Sequence, residues 1–130
     1  MLNQKITNIK CRHWINTNNI VLNPNWEIQK MNNDGTYFIH SSIENSIHYQ
    51  ALVTKNFNQY NTLINKTNQL EHSQVKFLEL YNILDIGFVR KNKIKLHRNN
   101  YILDGLHRIC ILLHKGLIQD TLHKDLYYYE

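Results

Sequence analysis

At 130 residues, 42% of them hydrophobic, the chain has the size and apolar content of one domain and is too short for two. No apolar run approaches the roughly 18 residues of a membrane span, and the start, MLNQKITNIK, lacks the apolar centre of a secretory signal. Fifteen Lys and Arg against ten Asp and Glu leave a net charge of +5, which suits nucleic acid, nucleotide phosphates or an acidic surface without choosing among them. Abundant Asn, Ile and Lys are what an AT-rich coding sequence produces, so part of the lysine excess is compositional.

In chain order the first pattern is β. WEIQKM (26–31) alternates faces, Asn32, Asn33, Asp34 and Gly35 make a turn, and TYFIH (36–40) returns; Asp-Gly between alternating runs is a hairpin signal. From Ser42 the spacing becomes helical. Ser42 is the expected N-cap, with Ile43, Ile47, Ala51 and Leu52 on one face. A second amphipathic stretch surrounds Phe57, Tyr60, Leu63 and Ile64. A third helix is expected after Ser73, with Phe77, Leu80, Tyr81 and Leu84 on its apolar face and Gly87 just beyond its end.

KIKLH (93–97) then alternates around Ile94 and Leu96, Arg98, Asn99 and Asn100 turn the chain, and YIL (101–103) is a second short strand. The chain passes through Asp104 and Gly105 into a helix closed by Gly116, whose apolar face holds Leu106, Ile109, Cys110 and Leu113. The expected fold class is α+β, a single compact domain over 1–130. The triple Tyr127, Tyr128 and Tyr129 reads as an edge strand or a packed tail.

The stretch DGLHR (104–108) concentrates the chemistry. The first turn of a helix leaves N–H groups unpaired at its electropositive end, and a glycine there lets a ligand approach the backbone. Arg108 adds a planar fork for two phosphate oxygens and His107 a donor or titratable ring. These parts make a phosphate cradle. The same residues also make an ordinary helix start, with Asp104 as N-cap, Gly105 in a tight turn and both side chains solvated or bonded to backbone.

The order strand, Asp-Gly-x-His-Arg, apolar helix, Lys-Gly over residues 93–116 resembles the signature of the ParB/sulfiredoxin superfamily. The resemblance implies a small mixed sheet with helices and a phosphate-binding turn at a strand-to-helix junction. It implies that Gly105, Leu106, His107 and Arg108 contact nucleotide phosphates, with Asp104 and His107 as catalytic candidates. Mg²⁺ carried by ATP or another nucleotide would relieve the repulsion between Asp104 and phosphate, and no all-protein metal cage is expected. Sulfiredoxins carry a catalytic cysteine where this chain has Leu106, so sulfinic-acid reduction is not expected. Partition-type ParB proteins continue into a helix-turn-helix domain, for which the 14 residues after Gly116 leave no room. The small single-domain kinases of the superfamily fit best, which implies phosphoryl transfer to a hydroxylated small molecule. The competing reading is a stand-alone ParB-like module associated with nucleic acid, as nuclease or accessory factor, or a non-catalytic nucleotide-binding regulator.

Around the motif, Lys93 and Lys95 extend the positive surface or face solvent. Ser46, His48 and Tyr49 could line an acceptor pocket or simply cap and pack. Glu44 and Glu27 join Asp104 as candidate general bases. His107 and His114 lie about 10 Å apart along a helix, too far to share one ion. Cys11 and His13 form a lone CxH. With no export signal, Cys11 and Cys110 are expected to be reduced thiols in the cytoplasm.

Overall fold

The computed structural model describes residues 2–16 and 20–130. Its strands are β1 (Gln4–Lys5), β2 (Lys10–Asn16), β3 (Glu27–Met31), β4 (Thr36–Ser42), β5 (Ile94–Leu96), β6 (Ile102–Asp104), β7 (Thr121–Leu122) and β8 (Tyr127–Tyr129). Between β4 and β5 lie α1 (Ile47–Thr54), α2 (Asn58–Lys66), α3 (Gln74–Ile83) and α4 (Ile86–Lys91), and α5 (Leu106–His114) follows β6. The class is α+β.

The expected hairpin is present. β3 and β4 pair antiparallel around a turn in which Gly35 takes a φ of 84°. Asp34 accepts from both the N–H and the hydroxyl of Thr36. β4 pairs along its whole length with β2, giving the order β2–β4–β3. Cys11, Ile15, Ile39 and Ser41 point inward and are buried, while Arg12 and Trp14 face out, as a two-residue period requires. A second sheet has the order β6–β5–β8, antiparallel on one side of β5 and parallel on the other. The tyrosine triple is therefore an edge strand. Among the described residues one isolated bridge, Lys10 to Tyr101, joins these two sheets, and β1 pairs antiparallel with β7 in a third, two-stranded sheet.

Two helix boundaries differ from expectation. Ser42 does not cap a helix, because pairing with Lys10 carries β4 through it. The cap is Ser46, whose hydroxyl accepts from the N–H of Tyr49 at 3.0 Å and donates to the Ile43 carbonyl at 2.6 Å. Gly87 does not terminate the third helix. Leu84, extended and buried, ends α3, and Asp85 starts α4 by accepting from the N–H of Phe88 at 2.8 Å. Gly87 lies inside α4.

One cluster of buried apolar side chains fills the interior, with Ile9, Ile15, Ile39, Ile94 and Leu96 contributed by the strands and strand-entry residues. Ile109, Cys110, Ile111 and Leu112 are all buried, so α5 is apolar nearly all round at its centre and runs through the middle of the protein. Its C-terminus is fixed as the sequence suggests. Gly116 has a φ of 73°, and Lys115 donates to the carbonyls of Tyr81 and Leu84 at the end of α3, at 2.6 and 2.9 Å. Among the described residues no helix is long and apolar enough to cross a membrane.

Ser46 satisfies a buried helix start, so Ser46→Ala is expected to cost about 1–2 kcal/mol. Urea denaturation checks this; a change below about 0.3 kcal/mol would contradict the capping role.

Candidate functional site

The turn from β6 into α5 is built on Gly105. Its φ of 107° is closed to side chains in general, and a Cβ there would lie 3.2 Å from the Ile94 Cα and 3.1 Å from the Arg108 Nη2. Gly105 occupies the N-cap position of α5, and no side chain caps that helix. The expected cap, Asp104, instead belongs to β6 and is turned toward Arg108.

Arg108 is the most constrained polar residue of the site. Its Nη2 pairs with Asp104 Oδ2 at 3.1 Å, while Nη1 donates to the carbonyls of Asn92 and Lys93, the latter at 3.1 Å. The guanidinium thus ties the start of α5 to the segment entering β5. Its side chain is only 15% exposed, against 72% for Asp104. The fork expected to be free for phosphate is occupied, and the exposed carboxylate is its one exchangeable partner.

His107 is not a free cation either. Tyr60 has a single hydroxyl hydrogen, which it donates to the His72 carbonyl. The 2.9 Å contact from His107 Nε2 to that hydroxyl is therefore an N–H donated by the ring, which leaves Nδ1 as the acceptor. It is one of four imidazoles that lie in sequence. His72 stacks on His107 at 4.4 Å between centroids, His48 meets His107 edge-on at 4.6 Å, and His13 stacks on His48 at 5.3 Å. Burial, then His72, His13 and Arg108 nearby, push His107 down to about 3. Burial alone lowers His13 to about 4, and burial with the neighbouring histidines holds His48 well below the usual range. These three rings are neutral near pH 7. His13 Nε2 and His48 Nδ1 are buried without a hydrogen-bond partner.

These groups line one cleft of about 740 Å³ between the free edge of β2, the end of β6 and the start of α5. Asp104, Gly105, Leu106, His107 and Arg108 form one wall, with His13 and His48 deeper, the partly exposed His72 beside His107, and Arg12 and Trp14 at the β2 edge. A second hollow, of about 580 Å³ beside Trp26, has no ionisable lining residue except Tyr60. A third, of about 510 Å³, has Arg90, Asp120 and His123 in its lining; residues 104 to 108 line the first.

The structure brings together five expected site residues, 104 to 108, and His48. It leaves out the others. Ser46 is spent on its cap and touches Cys110 Sγ at 3.7 Å, and Tyr49 packs toward His114. Lys95 pairs with Glu130 at 3.0 Å, and Lys93, outside β5, offers only its carbonyl to Arg108. Neither Glu27 nor Glu44 lines the cleft. Cys11 and Cys110 are free thiols, both buried, with Cys110 pushed up to about 12 by burial. Among the described residues no group of three His, Cys, Asp or Glu could hold a metal ion. Sequence reasoning missed His72 and Trp14, and weighed His13 only as half of a lone CxH pair. Alternation along KCRHWIN marks His13 as inward with Cys11 and Ile15; His72, in a single 3-10 turn, carries no signal.

No family model matches the chain, and no curated protein and no solved structure shows significant similarity to it.

Two outcomes follow. Gly105→Ala is expected to destabilise by about 1–3 kcal/mol, since the residue would keep a positive φ against immovable backbone; unchanged stability in urea would contradict the turn geometry. The unfolded chain binds protons on its histidines near pH 6.5, while the folded rings resist until about 4 and 3. Stability is therefore full above about pH 6.5 and falls as the pH drops toward 3, by up to about 1.4 kcal/mol per pH unit for each buried imidazole. Urea midpoints between pH 7 and 4.5 measure it, and a flat profile would contradict the neutral cluster.

Proposed function

We propose that the cleft binds a nucleotide by its phosphates at the Gly105–Arg108 turn, in a domain of ParB/sulfiredoxin type, and serves phosphoryl transfer to a small hydroxylated acceptor. The observation that carries this reading is the uncapped start of α5 behind a glycine at φ 107°, opening into a cleft of about 740 Å³. Unpaired N–H groups and the helix dipole favour an anion there, and the volume is that of a nucleotide-sized ligand.

The Asp104–Arg108 pair gives the reading a working form. Phosphate displaces Asp104 from Nη2, while Nη1, held by the Asn92 and Lys93 carbonyls, keeps the guanidinium in place. The freed, exposed carboxylate accepts the proton of the acceptor hydroxyl as its oxygen attacks the terminal phosphorus. The bond from that phosphorus to the bridging oxygen breaks, and the nucleoside diphosphate leaves. Asp104 is the one carboxylate in the cleft lining among the described residues and would share Mg²⁺ with a bound nucleotide, where the ion would neutralise phosphate charge. His107, neutral and donating to Tyr60, positions the start of the helix and does not carry the proton. A cytoplasmic setting, with nucleotides at hand and both thiols reduced, accords with this reading.

Calorimetry with ATP, GTP and ADP, with and without Mg²⁺, tests the binding step. Arg108→Lys keeps charge and loses the fork, and is expected to weaken binding about 10-fold or more. Absence of binding by every nucleotide, or equal binding by the variant, would refute the cradle. With a panel of hydroxylated acceptors, Asp104→Asn is expected to abolish diphosphate release while retaining binding. Binding by wild type without release refutes the transfer step alone and leaves a nucleotide-binding regulator.

A further inference from the structure

The outer face of the β2–β4–β3 sheet carries a row of rings of which only Trp14 reaches the cleft. Trp14 and Phe38 are cross-strand partners 5.0 Å apart between centroids, and Phe38 meets His40 at 5.5 Å. His40 meets Tyr101 at 4.9 Å, and Tyr101 meets His97 at 6.2 Å in the β5–β6 turn. Trp14 is 49% exposed and the other four are half-buried. A soluble sheet ordinarily puts polar side chains on its open face.

Charge selects the occupant. The Arg12 guanidinium lies 4.2 Å from the centre of the Tyr101 ring, Lys30 stands opposite Phe38, Lys10 is bridged to Tyr101, and Arg98 projects from the turn beside His97. None of these four cations is in an ion pair among the described residues. Glu27, opposite His40, is the one carboxylate paired across this face. Rings in a row with unpaired cations along them match a polyanion whose flat faces are open: bases for the rings, phosphates for the lysines and arginines. A duplex hides its base faces, and one mononucleotide covers one or two rings of five.

We propose that this face binds single-stranded nucleic acid by stacking bases on Trp14, Phe38 and Tyr101, with Lys10, Arg12, Lys30 and Arg98 holding the backbone. The site is separate from the phosphate-binding turn. Trp14 and Arg12 also reach the cleft rim, whereas Phe38 and Lys30 do not, so the last two are the test positions.

The experiment is fluorescence anisotropy with labelled oligothymidylate and oligouridylate of about 15 nucleotides. Emission of Trp14 is followed in a Trp26→Phe background, where it is the sole tryptophan. Saturable binding with quenched Trp14 is expected, weakened about 10-fold or more by Phe38→Ala or Lys30→Glu and by raising salt from about 0.05 to 0.3 M. Arg108→Lys should leave it unchanged, so loss of nucleotide binding and loss of this binding are distinguishable. Binding to neither oligonucleotide overturns the proposal, as does binding indifferent to both surface variants. Sedimentation showing that Phe38→Ala breaks a dimer, with no oligonucleotide bound, overturns it in favour of a second copy of the chain.

Discussion

The guanidinium of Arg108 holds three backbone segments in register: it meets the carboxylate at the end of β6 and the two carbonyls entering β5, and it stands on the first turn of α5. Gly105 makes this closure possible, because any Cβ at that point would press on Ile94 and on the guanidinium itself. A mostly buried guanidinium with both terminal nitrogens engaged loses little entropy for the bonds it makes, unlike a surface lysine. The position of the uncapped helix start relative to the sheet therefore rests on one side chain. Its bonds to carbonyls are structural, whereas its bond to the exposed Asp104 can be exchanged.

Beyond the turn, the cleft changes character over a short distance. Its mouth carries the charges of Asp104, Arg108 and Arg12; its inner wall is made of His13, His48 and His107, which burial keeps neutral. An anion is favoured at the helix start and gains nothing from charge further in. The orphaned His13 Nε2 and His48 Nδ1 are sealed from solvent, a destabilising arrangement offset by ring stacking and by the surrounding core. Acid should open this wall first, since protonating one ring makes its neighbours repel it.

How much of this the sequence displays depends on whether the cause is local. Asp-Gly between alternating runs, Gly116 after an apolar helix, and a glycine between strand and helix each carry their reason within a few residues, and each appears as expected. Ser42 and Ser46 are equally good caps on paper; only the pairing of Ser42 with Lys10, 32 positions away, decides for Ser46. Gly87 looks like a helix end until Asp85 restarts the chain as a new helix. The partners of Arg108 are backbone carbonyls, which leave no mark in a sequence. The four histidines come from β2, α1, the turn before α3, and α5, so folding alone gathers them.

The central claim is that the exchangeable side of Arg108 and the open N–H groups of α5 form an anion site for nucleotide phosphate. Backbone amide NMR during titration with Mg²⁺–ATP measures this directly. The expected result is large, saturable shifts at Leu106, His107 and Arg108, with smaller changes at Asp104 and none beside Trp26. Shifts confined to the hollow beside Trp26, or none anywhere, would contradict it.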